Sequence, residues 1–264
     1  MLDPLRGMPA MHDIKNIALV LEYDGSAFHG WQSQKNAVAV QDAIEGAIEK
    51  LTGEKARLAG ASRTDAGVHA LGQVANFRTA SKIPPEKYAF ALNTLLSESV
   101  SVTSSRQEPL LFHARFSAKG KKYIYRIINR RQPSAVLRDR AWHVPLELNA
   151  GLMSYAAAKL VGEHDFRAFM ASGSPVNSTV RHIWGIEVKR GAAALECGGD
   201  EVLIHIAGNG FLYNMVRIIA GTLVDIGLGR ISAECVDTLL SAPDRKNAGQ
   251  TAPPHGLYLA EVVY

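Results

Sequence analysis

The chain has only two cysteines, Cys197 and Cys235, far apart and outside any C-x-x-C spacing. They give no basis for a disulfide framework or a cysteine zinc site. Its nine histidines include no H-E-x-x-H or comparable pair, so no metal site is visible either. The phosphate-cradling pattern G-x-x-x-x-G-K-[ST] and the dinucleotide fingerprint G-x-G-x-x-G are both missing, which leaves nucleotide-cofactor binding without support. Long apolar runs are lacking too. The most apolar stretch, residues 211–228, is interrupted by Asn214, Arg217 and Asp225, which argues against a membrane span. Residues 1–13 carry Pro4, Gly7 and Pro9 and lack the apolar core of a signal peptide. They read as a disordered extension in which Met8 or Met11 offers an alternative start. The expectation is a cytoplasmic protein that uses no metal and no cofactor.

What the chain does have is material for a core. It has 264 residues, 47% of them hydrophobic and 20% charged, as in a soluble globular protein of one large or two medium domains. The net charge of +4 is mild, but its distribution is not. Between Arg115 and Arg140 lie nine basic residues: Arg115, Lys119, Lys121, Lys122, Arg126, Arg130, Arg131, Arg138 and Arg140. The only acid among them is Asp139, so this stretch carries +8 and the remainder of the chain −4. Phe116, Tyr123 and Tyr125 are interleaved with the cations. Cations attract phosphates and rings stack on exposed bases, which is a nucleic-acid pattern; a solvated basic strand and loop fits the charge count equally well.

The periodicity predicts an α+β fold. Strands are expected over 15–23, 56–61, 72–79 and 100–107, with helices over 38–51, ended by Gly53, and 86–96. That order is β-α-β-β-α-β, the ferredoxin-like arrangement. The second half repeats it loosely, with strands over 121–129, 182–190, 201–208 and 257–263. Helices are expected there over 149–161, 211–227 and 232–241. In the first of these Leu152, Tyr155, Ala156, Leu160 and Val161 are assigned to the apolar side. Segments 170–179 and 242–256 read as surface loops. The expected architecture is two ferredoxin- or RRM-like halves, 14–112 and 113–264. Their mostly antiparallel sheets would join side by side around a central active-site cleft.

Three residues invite chemistry. In G-A-S-R-T-D-A-G-V-H-A, Gly60 to Ala70, small residues surround one carboxylate, Asp65, with Arg63 two positions away. An oriented, ionised carboxylate is what a nucleophile or general base needs, although Asp-Ala-Gly is also ordinary turn chemistry. Arg217 sits among apolar neighbours and needs acceptors. Asp225 is two helical turns off, so the partner is either a carboxylate from elsewhere, such as Asp65, or a backbone carbonyl or water. Tyr123 shares a strand face with Tyr125 and Ile127, the pattern of a core aromatic. His69 reads as structural.

The Gly60–Ala70 segment, continuing as L-G-Q-V-A-N-F, resembles the signature loop of the tRNA pseudouridine synthase A family, G-x-[GS]-R-T-D-x-G-V-H. The block E-Y-D-G-S-x-F-x-G-W-Q at Glu22–Gln32, the segment F-H-A-R-F-S-A-x-x-K-K-Y ending at Tyr123, N-x-F-x-x-x-M-V-R at Asn209–Arg217 and G-L-Y-L at Gly256–Leu259 extend the resemblance along nearly the whole chain. The resemblance implies an isomerase that converts uridine to pseudouridine at positions 38, 39 and 40 of the tRNA anticodon arm, working as a homodimer. It implies Asp65 as nucleophile, Arg63 as the residue that helps extrude the target uridine, and Arg217 as the partner that keeps Asp65 ionised. Tyr123 would stack on the base, and Leu257 would lie on the active-site floor. Lys121, Lys122 and Arg126 would contact the RNA, and Tyr23, Gly25 and Trp31 would be scaffold. Two other classes would fit base recognition. A non-catalytic module of duplicated RRM-like units would require an RNP1 pattern, and a zinc nucleobase deaminase would require H-x-E with P-C-x-x-C; the chain has neither.

Overall fold

A computed structural model describes residues 14–35, 37–173, 176–191 and 200–264. The expected N-terminal extension, its alternative starts and Cys197 lie outside the described residues. The chain divides into two compact units, Met1–Ala118 and Lys119–Tyr264.

The first unit runs β1 (Lys15–Tyr23), α1 (Val40–Thr52), β2 (Ala59–Gly60), β3 (His69–Thr79), α2 (Tyr88–Asn93) and β4 (Val100–Glu108). β1 pairs antiparallel with both β3 and β4. β2 pairs with Asn76 and Ala75 of β3, residues whose other edge already holds β1, so the order is β4-β1-β3-β2. α1 buries Val40, Ile44, Ala47 and Ile48, one stripe at spacings of three and four, and β1 buries Ile17, Leu19 and Leu21 on alternate positions. Gly53 ends α1 in the left-handed conformation at φ +75°, and its amide donates to Glu49 O at 2.8 Å. The expected strand 56–61 shrinks to the two residues of β2, because the chain must leave the sheet to enter the Asp65 loop.

The second unit runs β5 (Gly120–Ile128), β6 (Trp142–His143), α3 (Ala150–Ala158), β7 (Gly162–Asp165), β8 (Val180–Gly191), β9 (Glu201–Gly208), α4 (Met215–Gly227), α5 (Cys235–Ser241) and β10 (Leu257–Val263). Its strand order is β10-β5-β9-β8-β7, antiparallel throughout, with the short β6 added parallel to the end of β5. Without β6 and β7 the order β10-β5-β9-β8 repeats that of the first unit. α4 is buried nearly all round, which explains its apolar composition without a membrane. Among the described residues no helix is long and apolar enough to cross a bilayer.

Three local expectations are corrected. α3 does not bury Leu152, Tyr155 and Val161, which are exposed; Met153, Ala156 and Ala157 face inward, followed by Leu160. The helix is apolar on most sides, so periodicity alone misassigns the face, and the Tyr155 ring is covered by the Lys159 ammonium at 5.1 Å instead. The 211–227 helix starts only at Met215, because Asn214 adopts φ +58° and interrupts it. The 242–256 segment is not a plain surface loop. Ala252 is fully buried, and Gly249 N donates to Thr222 Oγ1 at 3.0 Å. A Cβ on Gly221 would sit 1.8 Å from Gln250 O, so the glycine is what lets this segment run against α4.

Candidate active site

The Asp65 loop is pinned from several sides by neutral groups. Gln73, fully buried on β3, donates to Ser62 O at 2.7 Å and accepts from Ser62 N at 3.2 Å. The Tyr23 and Thr64 hydroxyls are 2.7 Å apart, and Trp31 N donates to Thr64 O at 3.0 Å. A turn closes from Val68 N to Asp65 O at 3.1 Å with Gly67 at φ +79°, the value a type II turn requires at that position. Gly30 lies against the loop, where a Cβ would be 2.7 Å from Thr64 O. A Cβ on Gly25 would be 2.1 Å from Val68 O, and the Gly25 amide donates to His69 Nδ1 at 3.0 Å, with Asp24 Oδ1 3.2 Å from the same nitrogen. The block Glu22–Gln32 is therefore the cradle of the Asp65 loop, and His69 is part of the same brace.

Asp65 itself is half-buried and Arg63 is exposed. The turn that closes on Asp65 O begins two residues beyond Arg63, which stays at the surface.

The second unit gathers the other candidates at one end of its sheet. Arg217 lies in the first turn of α4. Its Nε donates to Ala252 O at 2.8 Å, its Nη1 donates to Asn214 Oδ1 at 2.8 Å, and its own carbonyl accepts from Ala252 N at 3.1 Å. The left-handed Asn214 thus does two things: it starts the helix and it orients the guanidinium. Beside Arg217, Tyr125 is fully buried and donates its hydroxyl to Pro253 O at 2.7 Å. Burial pushes that phenol far above the ordinary tyrosine range, against a smaller opposing pull from the Arg217 charge. His255 is pushed down from its ordinary value, first by burial and then by Arg217, against Asp139 and a hydrogen bond with the Ala141 backbone. Gly256 packs on Tyr125, where a Cβ would meet the ring at 2.8 Å. Leu257, buried at the start of β10, is the register partner of Tyr125.

Tyr123, on the same face of β5, is 8% exposed and meets Phe211 edge-on, with centroids 5.1 Å apart at 82°. Asn209 fixes the approach to α4 through paired bonds with the His182 backbone, both 3.0 Å. The remaining cations separate into two kinds. Lys122 pairs with Glu261 at 2.7 Å, and Arg126 pairs with the buried Glu201 on β9. Arg115, Lys119 and Arg131 are exposed, and the exposed Arg138 pairs with the adjoining Asp139 at 3.0 Å. Sequence reasoning missed the Ala252–Gly256 wall around Arg217. The signal for it was A-P-P-H-G, whose consecutive prolines restrict the backbone at the short 3-10 turn Pro254–Gly256 that leads into the strand. Among the described residues no group of three His, Cys, Asp or Glu side chains is placed to hold a metal ion.

A loop carboxylate cradled by tyrosine, tryptophan and close-packed glycines, on a duplicated β-α-β-β-α-β frame, defines a recognisable class. A family model described as tRNA pseudouridine synthase matches residues 19–117 and 156–264, and the chain belongs to that family. Among its relatives is a tRNA pseudouridine synthase A of Acetivibrio thermocellus, 50% identical over 252 residues, covering 95% of this chain and 100% of the relative. Proteins of the same name from Thermoanaerobacter sp. and Caldicellulosiruptor saccharolyticus are 49% and 46% identical over 251 residues, each match covering 95% of this chain and 100% of the relative.

Proposed function

We propose that this chain isomerises uridine to pseudouridine at positions 38, 39 and 40 of the tRNA anticodon arm, with Asp65 as nucleophile. The observation that carries the reading is the Asp65 loop: the family signature is present residue for residue, and it is braced so that one carboxylate is held half-buried. The reaction breaks the bond between ribose and uracil N1, turns the base, and joins the ribose to carbon 5, which loses its proton. Asp65 attacks either uracil carbon 6 or the ribose anomeric carbon, and both routes need the ionised carboxylate.

The family motif assigns Arg217 the task of keeping Asp65 ionised. Its fixed, doubly hydrogen-bonded fork supports that role, since little freedom is left to lose in the transition state. The exposed Arg63 is available to occupy the space of an extruded uridine. Tyr123 presents a ring to the base, its hydroxyl is a proton carrier, and Leu257 forms an apolar floor. The phosphate track is assigned to the exposed cations Arg115, Lys119 and Arg131, with Lys121 beside Tyr123. Arg126 and Lys122 already face carboxylates. Binding should weaken steeply with salt. The working unit is a homodimer in the cytoplasm.

The test is release of tritium from tRNA labelled at uracil carbon 5. Wild type should release it, and Asp65→Ala should not, while still binding tRNA. Binding without release by wild type would instead favour a non-catalytic RNA-binding module.

A further inference from the structure

Three aromatic residues are interleaved with the basic stretch, and the structure separates them. Tyr125 is fully buried, its hydroxyl on Pro253 O. Tyr123 is nearly so, edge-on to Phe211. Phe116 is 75% exposed.

Phe116 is exposed on a segment that is otherwise tightly held. Asn16, fully buried on β1, donates to both Pro109 O and Phe112 O at 2.9 Å. Asn76, buried on β3, donates to Asn16 Oδ1 at 2.8 Å and accepts from Ala114 N at 2.8 Å. Within the segment Ser117 N donates to His113 O at 2.9 Å and His113 N donates to Ser117 Oγ at 3.1 Å. Two buried asparagines thus fix residues 109–117 to the sheet, where apolar side chains would have filled the space without needing partners. The rings of His113 and Phe116 lie 4.4 Å apart, tilted by 37°, and the Arg115 guanidinium carbon is 5.5 Å from the Phe116 centroid. From Pro109 to Gly120 there is no acid, and Arg115 and Lys119 are both exposed.

We propose that His113, Arg115 and Phe116 form a stacking platform for one unpaired tRNA nucleotide other than the isomerised uridine. Phe116 takes the base and Arg115 the adjoining phosphate. This rests on the tRNA reading above. A ring that is exposed, backed by a second ring, beside a guanidinium and on a segment without acids fits a base and its phosphate. The asparagine anchors make it a pre-organised surface, so little ordering entropy opposes binding. The exposed Leu110 and Leu111 nearby make an apolar contact with another protein copy the competing occupant.

The experiment compares wild type, Phe116→Ala, Phe116→Trp and Arg115→Ala in the full chain, using tritium release from unmodified tRNA and the apparent mass in solution. Phe116→Ala should raise KM roughly tenfold, with a smaller change in kcat, and Phe116→Trp should keep the wild-type KM because it keeps the π-face. Arg115→Ala should lower the slope of log affinity against log salt by about one. A KM for active Phe116→Ala within about twofold of wild type overturns the platform. So does a change in apparent mass, which would mark the ring as a contact between copies. Absence of release by wild type overturns the tRNA reading itself and is seen before any variant is compared.

Discussion

The two units share one element order and one strand order but hold their functional side chains by opposite means. The first places a carboxylate on a loop and braces it from outside, with a buried glutamine, a tyrosine–threonine hydroxyl pair and glycines that allow close approach. The second places a guanidinium in the first turn of a helix and a ring on a central strand, and holds the guanidinium with the carbonyls and amide oxygens around it. A reacting carboxylate has to be held in place, and the contacts around this loop fix its backbone. A guanidinium has five donors and can give some to the scaffold while the rest stay directed at a partner. The same frame therefore carries chemistry on a connection in one copy and on regular elements in the other.

The strongest way to break that comparison is Asp65→Asn, which keeps the shape of the side chain and removes its charge. Activity should fall on the order of 10⁴-fold or more. Stability should change by less than about 1 kcal/mol, because the loop is held by its neighbours. Tritium release and a urea titration read the two effects separately, and a large stability loss with retained activity would make Asp65 part of the scaffold. Arg217→Lys comes next. A lysine ammonium cannot span Ala252 O and Asn214 Oδ1 as the planar fork does, so activity should drop by about 10² or more and stability by about 1–3 kcal/mol. Retained activity in the lysine variant would reduce the requirement at this position to a single positive charge.

Much of this arrangement was legible in the residues. The alternating order of elements follows from periodicity: β1, α1, β8, β9 and β10 lie close to where the residue pattern puts them. The Asp65 loop was visible through its motif and through glycines with a conformational reason to be there. What could not be read was anything set by a distant partner. The inward face of α3 depends on what packs against it, not on its own apolar count. The late start of α4 depends on Asn214 adopting φ +58°, which an Asn-Met-Val-Arg string does not announce. One acceptor for Arg217 is a backbone carbonyl 35 residues along the chain, and backbone carbonyls leave no trace in composition. The Arg126–Glu201 pair is equally hidden, because Glu201 is brought within reach of Arg126 only by the pairing of β5 with β9.

The brace of the first unit can be tested without touching the carboxylate. Gln73→Leu keeps the volume and leaves Ser62 N–H and C=O without their buried partner, at a cost of about 1–3 kcal/mol for each group. Both unfolding midpoint and kcat should fall, because a loosened loop misplaces Asp65. A variant that loses stability but keeps full kcat would show that the second strand of bracing, Tyr23 with Thr64, suffices to position the loop.

The smallest expected effect belongs to the wall around Arg217 and is a matter of sign. His255 is pushed below its ordinary value of 6.5 by burial, reinforced by the Arg217 charge, while Asp139 and the Ala141 backbone pull the other way without prevailing. The folded chain therefore resists a proton that the unfolded chain accepts. On acidification below about pH 6.5, unfolding takes up a proton at this site, so the stability that His255 contributes when neutral is lost as pH falls through that window. One proton sets a ceiling of about 1.4 kcal/mol per pH unit, and a half-buried ring reaches only part of it. His255→Gln, which cannot titrate, should flatten the acid side of the stability curve and leave the neutral side nearly unchanged. Urea midpoints on either side of the window measure the difference between the two slopes. An unchanged acid slope in the variant would assign the acid sensitivity of this unit to its carboxylates, and Arg217 would then be insulated from the titration of its own surroundings.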